Sequence, residues 1–195
     1  MMRHTLRLAL LAVSLFASAA PALAQEARSL RLSATITAVQ GNTLRLKSAE
    51  GELSVNLSAT TPVYVQAAAS LKDIRPGSFL GVGAMPQPDG SQQAIRVMIF
   101  PEALRGQGEG HRPWTRPGST MTNATVETAV TQVNGQELKV RYAGGEQRIV
   151  IRPDAEIVTY AEAPRSELKP GTAVTVSGVL RAGNVMEAER VFLGR

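Results

Sequence analysis

The sequence contains no cysteine, and among its 195 residues it has one tryptophan and two histidines. That absence excludes disulfides, a thiolate nucleophile and a lipid-bearing cysteine at a leader cleavage point. Stability has to come from packing alone. One-sided charge is scarce too: the formal net charge is +5, and removing Arg3 and Arg7 with a leader would lower it by two. A balance this close to neutral does not by itself argue for a polyanionic partner. Long hydrophobic runs are missing as well. The stretch Leu8 to Phe16 falls well short of the ~20 apolar residues a membrane-spanning helix needs.

That short run sits in a recognisable order. Arg3, His4 and Arg7 precede it, and small residues follow it to Ala22-Leu23-Ala24, directly before Gln25 and Glu26. A positive start, an apolar middle and an A-x-A end mark a cleavable export signal. Residues 1–24 are therefore expected to be removed. The mature protein is expected in the periplasm or outside the cell, and not as an integral membrane protein.

The remainder repeats itself. A 94-residue shift sets Gly41 on Gly135, Leu44 on Leu138, Gly51-Glu52 on Gly145-Glu146, Pro76-Gly77 on Pro170-Gly171 and Val82 on Val176. From Ala34 to Gly83, 12 of 50 positions are identical without a gap. Apolar class is kept where identity is lost, as in Val55 with Ile149 and Leu57 with Ile151. Such self-similarity is read as a duplication.

Each copy has a β pattern. Leu30, Leu32, Ala34 and Ile36 alternate with Arg31, Ser33, Thr35 and Thr37, the period of a half-buried strand. Turn residues punctuate the later runs, including Asn134-Gly135, a tight-hairpin dipeptide. Ser70 to Ile74 and Ser166 to Lys169 each suggest one helical turn before a Pro-Gly step. The expected fold is all-β, a tandem duplication of a small six-stranded OB-like β-barrel joined by a Gly/Pro-rich linker. A small β-sandwich is the alternative. The expected organisation is a signal peptide at 1–24, a first domain at 25–100, a linker at 101–122 and a second domain at 123–195.

Several motifs carry a resemblance. They are Leu71-Lys72-Asp73-Ile74-Arg75-Pro76-Gly77, Ile99-Phe100-Pro101-Glu102, Gly108-Glu109-Gly110-His111-Arg112-Pro113-Trp114, and Ser119-Thr120-Met121-Thr122-Asn123-Ala124-Thr125-Val126. Together they resemble a bacterial exported family, catalogued as a domain of unknown function with an OB-like barrel. The resemblance implies fold and location, and it supplies no catalytic residue. Some relatives carry an automatic label as a metal-transporter permease component. This sequence departs from that label, since a permease needs several spanning helices.

Candidate chemistry is sparse. One mature histidine and no cysteine offer no nucleophile–base pair, so no catalytic residue is expected and the protein is read as a non-enzyme without a cofactor. Glu102, Glu109 and His111 could form an open metal site, with Met98 and Met121 flanking, although selective sites collect more His, Cys or Met ligands. His111, Arg112 and Trp114 are expected to clasp the two domains, with Trp114 largely buried. Lys139, Arg141, Arg148 and Arg152 fall at outward strand positions, either as an ordinary solvated face or as a basic patch for an anionic envelope component. The seven mature aromatics show no cluster along the sequence, and OB-type nucleic-acid sites need aromatic platforms, so no nucleic acid is expected. The function expected is an exported envelope protein acting as a binding or interaction module, for an envelope protein or anionic envelope component. The alternative is a periplasmic metal-handling accessory using the segment Glu102 to Met121. N-terminal sequencing of the exported protein should begin at Gln25; a chain still carrying Met1 outside the cytoplasm would contradict the leader assignment.

Overall fold

A computed structural model describes residues 28–132 and 135–194. The signal peptide expected at 1–24 and Asn134 of the expected Asn134-Gly135 turn lie outside the described residues. Thirteen strands run in chain order: β1 (Arg28–Gln40), β2 (Thr43–Ser48), β3 (Gly51–Leu57), β4 (Val63–Ala68), β5 (Phe79–Pro86), β6 (Gln92–Phe100), β7 (Gly110–Pro113), β8 (Thr120–Gln132), β9 (Gly135–Tyr142), β10 (Gly145–Ile151), β11 (Glu156–Glu162), β12 (Ala173–Arg181) and β13 (Val185–Leu193). Three single 3-10 turns stand at Leu71–Asp73, Glu102–Leu104 and Arg165–Glu167. Among the described residues there is no α-helix, so the all-β expectation holds. No helix there is long and apolar enough to cross a membrane.

The strands form where alternation is clean. In β2, Leu44 and Leu46 are buried while Arg45 and Lys47 are exposed, so one face seals a core and the other meets water. The turn Leu71–Asp73 follows Ser70, whose side chain and backbone N–H both donate to the Asp73 carboxylate at 2.8 Å. Those two bonds hold the Asp73 carboxyl below the ordinary carboxylate value.

The pairing does not follow the halves of the chain. β1, β2 and β3 form an antiparallel meander. β1 then pairs with β12, β12 with β13, and β13 runs parallel to β3, closing a five-stranded barrel. The second ring is built the same way: β8, β9 and β10 are consecutive neighbours. β8 pairs with β5, β5 with β6, and β6 runs parallel to β10. Each ring therefore takes three strands from one half and two from the other. The sequential domains 25–100 and 123–195 are corrected to this exchanged arrangement, and the barrels have five strands instead of six. The remaining strands, β4 and β11, pair antiparallel with each other. β4 also joins β13, and β11 joins β6. They bridge the two barrels.

The cores show the same exchange. Leu46, Val55 and Leu57 share one buried cluster with Val176 and Val191. Val82 and Val97 share the other with Val140, Ile149 and Ile151. A core confined to each half would have grouped Val82 and Val97 with Leu57; the sequence shows that these positions are buried without showing against which strands.

The order of elements recurs at the 94-residue spacing from β2 onward, with matching bulges between Gly83 and Ala84 in β5 and between Ser177 and Gly178 in β12. The first strand departs from it. Ala34 faces Val174 and Ala124 faces Leu80, which makes the spacing there 90 residues; a longer β8–β9 hairpin takes up the difference. The segment expected as a linker also carries structure, since β7 pairs with the start of β8.

Two measurements check this architecture. A chain cut at an engineered protease site within residues 115–118 should still run as one particle under native conditions, because each barrel needs strands from both fragments. Separate fragments would refute the exchange. Leu57→Ala and Ile151→Ala should each cost roughly 2–5 kcal/mol, the usual range for truncating a buried aliphatic; an unmoved melting curve for both would contradict the cores.

Candidate functional site

On the second barrel, β5 reads Leu80-Gly81-Val82-Gly83-Ala84, and Leu80, Val82 and Ala84 are all buried in the core. By strand alternation Gly81 and Gly83 face outward. Interior strand glycines mark places where another group comes close, and here the close group is aromatic. A Cβ on Gly83 would stand 2.4 Å from Cζ3 and 2.6 Å from Cη2 of Trp114. A Cβ on Gly81 would stand 2.9 Å from Cε2 of Phe100 and 3.1 Å from Oδ1 of Asn123. The Gly81-Val82-Gly83 motif is the sequence signal for this site, although neither glycine carries chemistry of its own.

Trp114 is delivered by β7 and the turn that follows it. The Trp114 N–H donates to the Ser119 carbonyl at 2.9 Å, and the Ser119 hydroxyl donates to the Arg116 carbonyl at 2.5 Å. Behind β7, Nδ1 of His111 lies 2.8 Å from the hydroxyl oxygen of the fully buried Thr122. The His111 ring is also stacked 6.3 Å from Tyr142. This tethering gives His111 a positioning role for the β7 wing.

Between the wing and the bridge strands lies a cleft of about 240 Å³. Trp114, Phe100 and Tyr160 give it aromatic walls, Met98 and Met121 contribute thioethers, and Gly81 and Gly83 leave room for it. Its polar groups differ in state. The Arg96 guanidinium donates to Gln66 at 2.7 Å and pairs with Glu156 at 3.3 Å. Arg112 is exposed and donates to the Gly108 carbonyl at 2.8 Å; among the described residues it has no carboxylate partner. Asn123 is 6% exposed, and its amide N–H donates to the Gln107 carbonyl at 2.7 Å. Its Oδ1 is sealed from solvent without a hydrogen-bond donor. Leaving such an acceptor unsatisfied costs about 1–3 kcal/mol. Gln136 Oε1 shares this condition, in the second residue of β9 and outside the cleft.

The aromatics that looked scattered along the chain meet beside this cleft. Tyr64, Leu104 and Phe192 form a buried seam with Phe100 and Tyr160 against it. Phe192 lies 4.7 Å from Tyr160 and 5.5 Å from Tyr64 by ring centroid, and Phe79 lies 5.5 Å from Phe100. Strand exchange brings together rings that are remote in sequence.

The other candidate residues are dispersed. Glu102 is exposed and paired with Arg105 at 2.6 Å, which lowers its carboxyl below the ordinary value. Glu109 accepts the Ala143 N–H at 2.8 Å. Glu102, Glu109 and His111 thus engage different partners, and among the described residues no group of three or more His, Cys, Asp or Glu is placed to hold a metal. Trp114 is half-buried, and β7 lies on the same barrel as Gly83, so the expected largely buried clasp between domains is corrected to a wing over one barrel. The four outward cations are each neutralised: Lys139 and Arg141 by Glu127 and Glu146, Arg148 by Asp89 and Glu137, and Arg152 by Asp154. They form an ion-pair lattice instead of an open basic patch.

Geometry of this kind defines an all-β protein of two interlocked five-stranded barrels, with one recess built on glycines. Residues 127–191 match the model of a family described as a domain of unknown function (DUF5666), so over that segment the chain is similar to that family. The segment runs from within β8 into β13 and contributes strands to both barrels; Gly81, Gly83, Trp114 and Asn123 lie outside it. No curated protein and no solved structure matches the chain.

Gly83→Ala should drive the Trp114 ring from its seat, shifting its fluorescence to the red and destabilising by about 1–3 kcal/mol, as overpacking does. An unchanged spectrum would show that the ring does not rest there. The Glu127 carboxyl is lowered chiefly by its hydrogen bond from Arg141. A lowered folded value means the ion-pair contribution is present at neutral pH and lost as pH falls through that value. An NMR titration should place the Glu127 midpoint below that of an ordinary glutamate; an ordinary midpoint would contradict the pairing.

Proposed function

We propose that the protein is an exported, non-enzymatic binding module that works outside the cytoplasm, built from a duplicated OB-like unit, with the Trp114 cleft as its ligand site. The leader-like start of the sequence supports export. The recurring element order and matching bulges support duplication, and closed five-stranded rings with 3-10 turns at the corresponding places Leu71–Asp73 and Arg165–Glu167 support the OB-like reading.

The observation that carries the binding function is the sealed, unpartnered Asn123 Oδ1 beside a cleft walled by Trp114, Phe100 and Tyr160. A concave, mostly apolar recess with a few convergent polar groups is what small-ligand sites look like. The cleft adjoins the bulge in β5, a feature over-represented beside functional sites. A structural role alone would favour filling the glycine floor.

The test is to purify the mature protein from its own envelope and analyse what it retains. The wild type should hold a small molecule that Gly81→Leu, which fills the cleft, no longer holds. Equal retention by both proteins, or nothing retained by either together with no shift of the Trp114 indole on exposure to envelope extract, would overturn the assignment.

A further inference from the structure

The chemistry of the cleft says what class of molecule it takes, on the premise that the cleft is a binding site. We propose that its ligand is a small aromatic acid: one ring, one anionic group and one O–H or N–H donor.

Each part answers a group on the wall. Trp114, Phe100 and Tyr160 offer ring surfaces, and Met98 and Met121 offer polarisable sulfur, which pairs well with aromatic edges. Arg112 supplies a guanidinium with no carboxylate partner among the described residues, and such a fork binds a carboxylate bidentately. By contrast, Arg96 is already paired with Glu156. Asn123 Oδ1 is an acceptor without a donor, so the ligand must bring one. Oδ1 and the Phe100 edge border the same notch over Gly81; a ligand donor satisfies Oδ1 by displacing that edge.

Size limits the ligand further. A volume of about 240 Å³ falls below the roughly 300–1,000 Å³ typical of pockets for drug-sized molecules. A single ring with two substituents matches that volume. Two thioethers beside an orphan carbonyl would also attract a soft monovalent cation, but the guanidinium of Arg112 opposes a positive guest. The anionic ring is the better match.

The protein contains one tryptophan, so a single indole N–H resonance reports on the cleft. The mature chain is titrated with 4-hydroxybenzoate, 3-hydroxybenzoate, benzoate, phenol and silver(I), each alone. One of the hydroxybenzoates should shift the indole signal saturably, with a dissociation constant of about 0.1 mM for a ligand this small. Benzoate, lacking the donor, and phenol, lacking the charge, should each bind roughly tenfold more weakly. Arg112→Gln should weaken the hydroxybenzoate about tenfold and leave phenol unchanged, which a general loss of structure would not do. Equal binding of all four aromatic probes would overturn the proposal by showing an unselective apolar pocket. Saturable binding of silver(I) without the hydroxybenzoates would overturn it in favour of a cation site, with the cleft still a binding site. No response to any probe would overturn the aromatic-acid class, and retention of an envelope molecule by Gly81→Leu would separately remove the cleft reading itself.

Discussion

Everything in this molecule depends on two short parallel pairings, β3 with β13 and β6 with β10. Each closes a barrel by joining a strand from one half of the chain to a strand from the other. Parallel neighbours cannot be joined by a tight hairpin; here residues 58–184 connect β3 to β13 and residues 101–144 connect β6 to β10. Small barrels bury too little surface to be robust alone. Exchange removes that weakness, because neither half has a complete core to retreat to. Closure also removes exposed sheet edges, and the bridge of β4 and β11 ties both rings into one sheet system.

Seen this way, the aromatic seam follows from the topology. Tyr64 on β4, Tyr160 on β11, Phe100 on β6 and Phe192 on β13 belong to the four strands that meet at the bridge. Rings are concentrated where two barrels must be joined without a disulfide, each carrying a large apolar payload. A lattice of ion pairs lies elsewhere, on the outer face of β8, β9 and β10, where Lys139 and Arg141 meet Glu127 and Glu146. Their exposure limits each to a modest contribution; at the cleft itself Arg96 is paired with Glu156, which leaves Arg112 as the guanidinium there without a carboxylate partner among the described residues.

Much of the fold was legible in the sequence, and its limits have a physical cause. Period-two alternation identified the strand faces, so Leu44, Leu46, Val55 and Ile149 were recognisable as buried. The turn signals at Gly51, Pro76-Gly77 and Pro170-Gly171 located the ends of elements. Alternation says which way a side chain points and is silent about which strand lies opposite. Exchanged and unexchanged barrels satisfy the same pattern, so the assignment of Val82 and Val97 to a partner core could not be read. The site was legible only in part. Trp114 and Arg112 stood out by rarity and by their place in the connecting segment, but Gly81, Gly83 and Asn123 carry no chemistry when read singly.

The two barrels are not equivalent, and the difference lies in residues without side chains. The positions that correspond to Gly81 and Gly83 on the other barrel are Thr175 and Ser177, at the same register against β13. The hydroxyl of Thr175 bonds that of Ser33 across the strand pair at 3.1 Å, so that face is occupied by its own polar network. Ser33 and Asn123 face equivalent partners on the two barrels, yet one is satisfied locally and the other keeps an orphan oxygen. The first barrel has no counterpart of β7 among the described residues, and Arg31 lies over Phe192 there near where the second barrel has its cleft. Two glycines and one added strand thus convert a solvent-facing surface into a walled recess. The same framework serves in one barrel as a scaffold and in the other as the support for a recess.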